Sequence, residues 1–144
     1  MKNHANEKSV LVIPCSGIGK VHGLISREAT YLVTDELAPG RTDTLCLGLL
    51  VKRDQEAVAA IKSQHCITID GCPKACAKVN VEAAGGKPVA EYRVFDVYRA
   101  HKELKVRSVS DLGESGREMA RILAEEIAAK VDELTEDEGR KTEK

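Results

Sequence analysis

Short β-branched runs alternate with amphipathic stretches along this sequence, and that alternation restricts the possible folds more than any other feature. The predicted strands cover residues 10–13, 42–47, 66–70 and 91–98. The predicted helices, whose apolar residues recur at intervals of three and four, cover residues 21–37, 54–64, 73–84 and 115–134. Strands that alternate with helices form a parallel sheet covered on both faces. The sequence therefore predicts an α/β fold: a three-layer, Rossmann-like domain with a mostly parallel four-stranded sheet and a C-terminal helix.

The length of 144 residues is that of one domain. Residues 1–8 are polar, and we expect them to form a flexible N-terminus. Residues 9–134 hold all the predicted strands and helices and are predicted to be a single metal-binding domain. Residues 135–144 contain no apolar side chain, so we expect a disordered charged tail.

Charge and composition exclude several classes of partner. A net charge of −1 gives no electrostatic attraction to nucleic acid or to a membrane surface, and 3% aromatic residues leave few side chains on which bases could stack. No apolar run approaches the roughly 18 residues that a membrane span requires. The apolar stretch near the start is too short for a signal peptide. We therefore expect a cytoplasmic protein that binds neither nucleic acid nor membrane, and the sequence points to no protein partner.

Cysteines mark the predicted carboxyl edge of the sheet, where the functional crevice of such folds lies. Cys15 follows the first strand, Cys46 ends the second, Cys72 follows the third, and Cys76 comes one helical turn later. Four thiolates are the number of ligands in a tetrahedral zinc site. Cys66 begins the third strand at the opposite edge, so we expect it to fill the core. The sequence thus predicts a metal site formed by Cys15, Cys46, Cys72 and Cys76.

The surroundings of Cys72 leave other chemistries open. On a helix starting at Pro73, Cys72 and Cys76 would share a face, and the helix N-terminus would favour a thiolate at Cys72. Cys72 is therefore the predicted nucleophile if the protein is instead a thiol-based redox or sulfur-transfer enzyme. Four cysteines could also hold an iron–sulfur cluster. Asp70 is predicted either to cap the turn or to support a ligand.

The glycine-rich segment at residues 15–20 does not fit two familiar loops. A Walker A loop requires glycine at Pro14 and Ser or Thr at Val21, and a Cys-x5-Arg phosphatase loop requires arginine at Val21. We interpret the segment as a tight turn that brings backbone N–H groups close to Cys15. His22, just beyond it, is an alternative metal ligand, although a surface position on the helix is more common for such a histidine.

Several motifs together resemble the DGC-domain family, which takes its name from Asp-Gly-Cys. They are PCSGIGK at residues 14–20, REA at 27–29, TLCL at 44–47 and IDGCPKACA at 69–77. The family is described as zinc-binding because of its cysteines, and no reaction or substrate comes with the name. The resemblance implies zinc ligands at Cys15, Cys46, Cys72 and Cys76. Four protein ligands would leave no open coordination position, which favours a structural, storage or transfer role.

Overall fold

A parallel β-sheet forms the centre of the computed structural model. Its strands are β1 (Val10–Pro14), β2 (Thr42–Asp43), β3 (Cys66–Asp70) and β4 (Pro88–Arg93). They lie side by side in the order β2-β1-β3-β4, and every neighbouring pair is parallel. The structure describes residues 9–15, 21–71, 74–104 and 113–142. The predicted α/β class is therefore confirmed, with a sheet that is parallel throughout.

Helices connect the strands and cover the sheet. They are α1 (Val21–Tyr31), which continues as a π-helix over Leu32–Leu37, then α2 (Leu47–Val51), α3 (Gln55–Ser63), α4 (Cys76–Ala83), α5 (Val94–Ala100) and α6 (Gly113–Thr142). Within the described ranges, no helix is both long enough and apolar enough to cross a membrane. The long α6 is the predicted C-terminal helix.

Alternate residues of β1 and β3 face two separate cores. Val10 and Val12 pack with Ile67 and Ile69 beneath α1, α5 and α6; we call this the α6 core. Leu11 and Ile13 point the other way, toward α2, α3 and α4, in what we call the α4 core. Both strands are buried on both faces, which explains their continuous apolar sequences. The result is the expected arrangement of three layers.

The connections between the strands show where the chain changes the side of the sheet toward which it adds the next strand. From β1 the chain passes through α1 on one face to reach β2, and it then returns through α2 and α3 on the other face to β3. Because α1 and α4 leave the adjacent ends of β1 and β3 toward opposite faces, a crevice is expected between those two strand ends.

The predicted elements differ from the observed ones mainly at their ends. Strand β3 occurs at its predicted bounds, and Asp54, where the second predicted helix begins, caps α3 by accepting a hydrogen bond from the Ala57 N–H at 3.0 Å. Strand β2 stops at Asp43, whereas we had predicted residues 42–47. Helix α6 continues beyond the predicted end at residue 134. The division into a flexible N-terminus, a domain at 9–134 and a tail at 135–144 stays a prediction.

The predicted fourth strand was placed too far along the chain. Strand β4 ends at Arg93, and α5 follows it without a loop. Val94 and Val97 are both buried against the α6 core, a spacing of three that suits a helix and not a strand. Residues 94–98 are therefore helical, and the prediction of strand there was wrong.

Candidate metal centre

Cys15 lies at the crevice between the ends of β1 and β3. It follows the last residue of β1, and its N–H donates to the carbonyl oxygen of Ile69 at 2.9 Å, which continues the pairing of the two strands. The side chain is buried, with 5% of its surface exposed. The N–H of Gly71 donates a hydrogen bond to its Sγ at 3.3 Å. The residue that follows β3 thus directs its backbone N–H group at the sulfur of Cys15.

A buried hydroxyl contacts the same sulfur from α1. Ser26 Oγ lies 3.5 Å from Cys15 Sγ and donates to the carbonyl oxygen of Gly23 at 2.7 Å. The next turn of the helix adds Thr30, whose hydroxyl donates to the Ser26 carbonyl at 2.9 Å. We did not predict Ser26 as part of the site. The sequence feature that could have indicated its role is the polar side chain next to Ile25, among the apolar residues of α1.

Cys46 and Cys76 lie at the N-terminal ends of two helices that contact each other. Cys46 is the residue before α2, and Cys76 is the first residue of α4. Helices α2 and α4 pack together in the α4 core. Both thiols are exposed and neither is in a disulfide. Cys46 was expected at a strand end, but two residues, Thr44 and Leu45, separate it from β2.

Asp70, at the end of β3, fixes the start of α4. Its buried carboxylate accepts hydrogen bonds from the N–H groups of Ala77 at 2.7 Å and Lys78 at 3.2 Å. Burial raises the pKa of Asp70, and these two hydrogen bonds oppose that rise because they favour the ionised carboxylate. The residue predicted to cap a turn therefore caps a helix from a neighbouring strand.

The predicted helix at 73–84 was wrong at Lys74 and Ala75, which precede the observed start of α4, while Pro73 lies outside the described residues. Ala75 has a left-handed conformation, with φ of 51°, which an alanine seldom adopts and which interrupts a right-handed helix. Helix α4 therefore starts at Cys76, and the thiol at its N-terminus is that of Cys76. Cys72, the fourth predicted ligand, lies outside the described residues, as do the segment 16–20 and the side chain of His22.

Cys66 lies at the other edge of the sheet and is a different kind of thiol. It is fully buried at the start of β3, and its S–H donates toward the carbonyl oxygens of Gln64 at 3.4 Å and Ile61 at 3.6 Å. Burial raises the pKa of this thiol to about 11. It therefore stays protonated at neutral pH, whereas metal binding requires the thiolate.

The described side chains do not by themselves form a metal site. Among residues 9–15, 21–71, 74–104 and 113–142, no three His, Cys, Asp or Glu side chains lie close enough to hold an ion. Cys15 adjoins the turn that leads into Cys72, while Cys46 and Cys76 lie on a contacting pair of helices. Thiolates are the donors that zinc and iron–sulfur clusters take, so the chemistry of the set fits either group.

Comparison with known proteins identifies the family. No curated protein and no solved structure matches the chain. The DGC domain matches residues 11–121, which cover most of the sheet, helices α1 to α5, the start of α6 and all four cysteines predicted as ligands. Since this match covers more than half of the chain, the chain belongs to the DGC-domain family.

Proposed function

We propose that this protein binds one zinc ion through the thiolates of Cys15, Cys46, Cys72 and Cys76. The hydrogen bond from the Gly71 N–H to Cys15 Sγ is the observation that carries the proposal. It presents a backbone donor to a buried sulfur at the crevice of the sheet, one residue before Cys72 in sequence. Hydrogen bonds to the ligand atoms orient them and stabilise their negative charge in metal centres.

Two of the proposed ligands are exposed, and this favours a storage or transfer role. Cys46 and Cys76 have solvent-accessible side chains, which can change rotamer without disturbing either core. We therefore expect zinc to draw them toward Cys15 and Cys72 when it binds. Asp70 contributes by holding the N-terminus of α4, and hence Cys76, beside β3. A site with four protein ligands has no open position for water, so hydrolysis is not expected.

A cytoplasmic location is part of the proposal. Cys15, Cys46, Cys66 and Cys76 are all free thiols. Free thiols persist in the cytosol because glutathione and thioredoxin keep them reduced. Exposed ligands such as Cys46 and Cys76 would be oxidised readily in an exported protein, so the site suits a reducing compartment.

Elemental analysis of single cysteine variants tests the zinc proposal. The full-length protein, purified without air or added metal, is expected to contain about one zinc per chain. Serine at Cys15, Cys46, Cys72 or Cys76 is expected to lower the zinc content. Cys66→Ser is the matched control, since it removes a thiol from the opposite edge, and it should retain the metal. A zinc-free Cys66→Ser protein that is folded, or four ligand variants with full zinc, would contradict the proposal.

The same preparation separates the alternatives. A brown protein that contains iron and sulfide would identify an iron–sulfur cluster, because zinc proteins are colourless. Exposure of Cys76 at the N-terminus of α4 favours a second candidate, a thiol-based redox or sulfur-transfer function with Cys72 or Cys76 as nucleophile. That function predicts that the purified protein contains no metal. Two or more of its thiols should then react rapidly with an alkylating reagent before any chelator is added.

A further inference from the structure

We infer that Ser26 is a positioning residue for Cys15, whose hydroxyl reverses its hydrogen bond to the sulfur when zinc binds. While Cys15 carries its proton, the S–H donates to Ser26 Oγ; with zinc bound, the Ser26 O–H would donate to the Cys15 thiolate. The inference rests on the proposed function for its second half. Its first half concerns the metal-free protein alone and can be tested separately.

The single proton of the Ser26 hydroxyl fixes the direction of the contact while Cys15 is a thiol. The hydroxyl donates to the Gly23 carbonyl oxygen at 2.7 Å, which is a short hydrogen bond. A hydroxyl has one proton to donate, so its contact with Cys15 Sγ at 3.5 Å must use the S–H as donor. The sulfur then accepts from the Gly71 N–H and donates to Ser26, and both partners lie within the described residues.

Loss of the Cys15 proton makes that arrangement unfavourable. If Cys15 served as a zinc ligand, its proton would pass to solvent and the negatively charged sulfur would face the lone pairs of Ser26 Oγ. Rotation of the hydroxyl about its C–O bond removes the repulsion and gives the thiolate a second donor beside the Gly71 N–H. The Gly23 carbonyl keeps a partner, because it also accepts the N–H four residues later in α1. The rotation therefore leaves the Gly23 carbonyl oxygen hydrogen-bonded.

Burial prevents water from substituting for Ser26. Ser26 has 0% and Cys15 5% of its surface exposed, so the contact is separated from solvent. The Thr30 hydroxyl, which donates to the Ser26 carbonyl at 2.9 Å, belongs to the same buried row on α1. Thr30 directs its hydroxyl at the Ser26 carbonyl oxygen and is 1% exposed, which makes Thr30→Val the matched control for Ser26→Ala.

Infrared spectroscopy of the metal-free protein tests the hydrogen bond. A Cys15→Ala variant assigns the S–H stretching band of Cys15 by difference from the wild type. Ser26→Ala is expected to shift that band to higher frequency, as for an S–H without an acceptor, and Thr30→Val is expected to leave it in place. An unshifted band in Ser26→Ala would overturn the inference, whether or not the protein binds zinc.

Competition between the protein and a chelator for added zinc tests the reversal. Because a hydrogen bond to a charged group contributes about 1.5 kcal/mol or more, Ser26→Ala is expected to bind zinc roughly ten-fold more weakly. Thr30→Val should match the wild type. Equal affinity of Ser26→Ala and wild type would overturn the reversal and leave the zinc site standing. A wild type that takes no zinc, with the S–H band shifted as expected, would overturn the proposed function and the reversal but not the hydrogen bond.

Discussion

The two buried thiols, Cys15 and Cys66, have different hydrogen-bonding partners. Cys15 Sγ accepts a backbone N–H and contacts the Ser26 hydroxyl at the carboxyl edge of the sheet, whereas Cys66 donates toward backbone carbonyls at the amino edge. Acceptors directed at the S–H group favour the thiol, and burial of Cys66 raises its pKa in the same direction. The two cysteines therefore lie in different surroundings at opposite edges of the sheet, although both are buried.

The raised pKa of Cys66 predicts a specific loss of stability at high pH. Burial raises the pKa from its ordinary value of 9.0 to about 11 in the folded protein. Above pH 9 the unfolded chain loses this proton while the folded chain keeps it, so the unfolded state gains stability. The contribution of the buried thiol is complete below pH 9 and is lost as the pH rises to about 11, at a cost of roughly 2 to 3 kcal/mol.

Denaturant unfolding from pH 8 to pH 11 measures this effect, with Cys66→Ala as the reference. Lysines and tyrosines also titrate in this range, so the quantity of interest is the difference in free energy of unfolding between the two proteins. Wild type should lose more of its stability than Cys66→Ala as the pH rises. Parallel curves for the two proteins would show that Cys66 ionises normally in the folded state.

At the scale of elements, α4 begins where Asp70 holds it. The carboxylate comes from β3 and not from the residue before the helix, so one side chain fixes both the start of α4 and its position against the sheet. Ala75, in the position that usually carries a capping side chain, is left-handed and makes no side-chain cap. The entry into the helix that bears Cys76 therefore depends on a carboxylate six residues earlier.

Asp70→Ala is expected to destabilise the protein by about 2 to 3 kcal/mol. The change removes two hydrogen bonds to a buried carboxylate and leaves the Ala77 N–H without its acceptor. Asp54→Ala is the comparison, because Asp54 caps α3 from the conventional position and is less buried, so its loss should cost about 1 kcal/mol. Chemical denaturation gives both values, and an equal or smaller cost for Asp70 would mean that α4 does not depend on this cap.

The elements that could be predicted from sequence are those in which local pattern and burial agree. Strand β3 is buried on both faces and continuous in apolar character apart from Thr68 and Asp70, so its bounds followed from composition. Strand β4 has one half-buried face, and its pattern runs without a turn signal into α5. No glycine or proline marks that boundary, which explains why the strand was predicted too far along the chain.

Part of the candidate site could be predicted from the strand directions. Knowing that a parallel sheet collects its carboxyl ends at one edge was enough to set Cys66 apart from Cys15. The start of α4 was not predictable, since proline at the first helical turn is a usual signal and the left-handed Ala75 has none in the sequence. Ser26 was missed because a serine within a helical stripe gives no indication of what it contacts across the fold.

At the scale of the whole molecule, the sheet separates two cores with different consequences for the site. Cys15 is part of the α4 core, and the helices that carry Cys46 and Cys76 cover it. Helix α6 packs only into the α6 core among the described clusters. Packing defects beneath α2 should therefore reach the proposed ligands directly, whereas defects beneath α6 should act on the stability of the fold as a whole.

Leu50→Ala and Leu123→Ala test this separation as a matched pair. Each leucine is 0% exposed, Leu50 in α2 and Leu123 in α6, and each truncation should cost about 2 to 5 kcal/mol of unfolding free energy. Only Leu50→Ala is expected to weaken zinc binding as well, because it loosens the helix that Cys46 precedes. Chelator competition, at a temperature where both variants are fully folded, measures the affinities. If Leu123→Ala weakened zinc binding as much as Leu50→Ala, the ligands would depend on both layers together, and the expected dependence of Cys46 and Cys76 on the α4 core alone would fail.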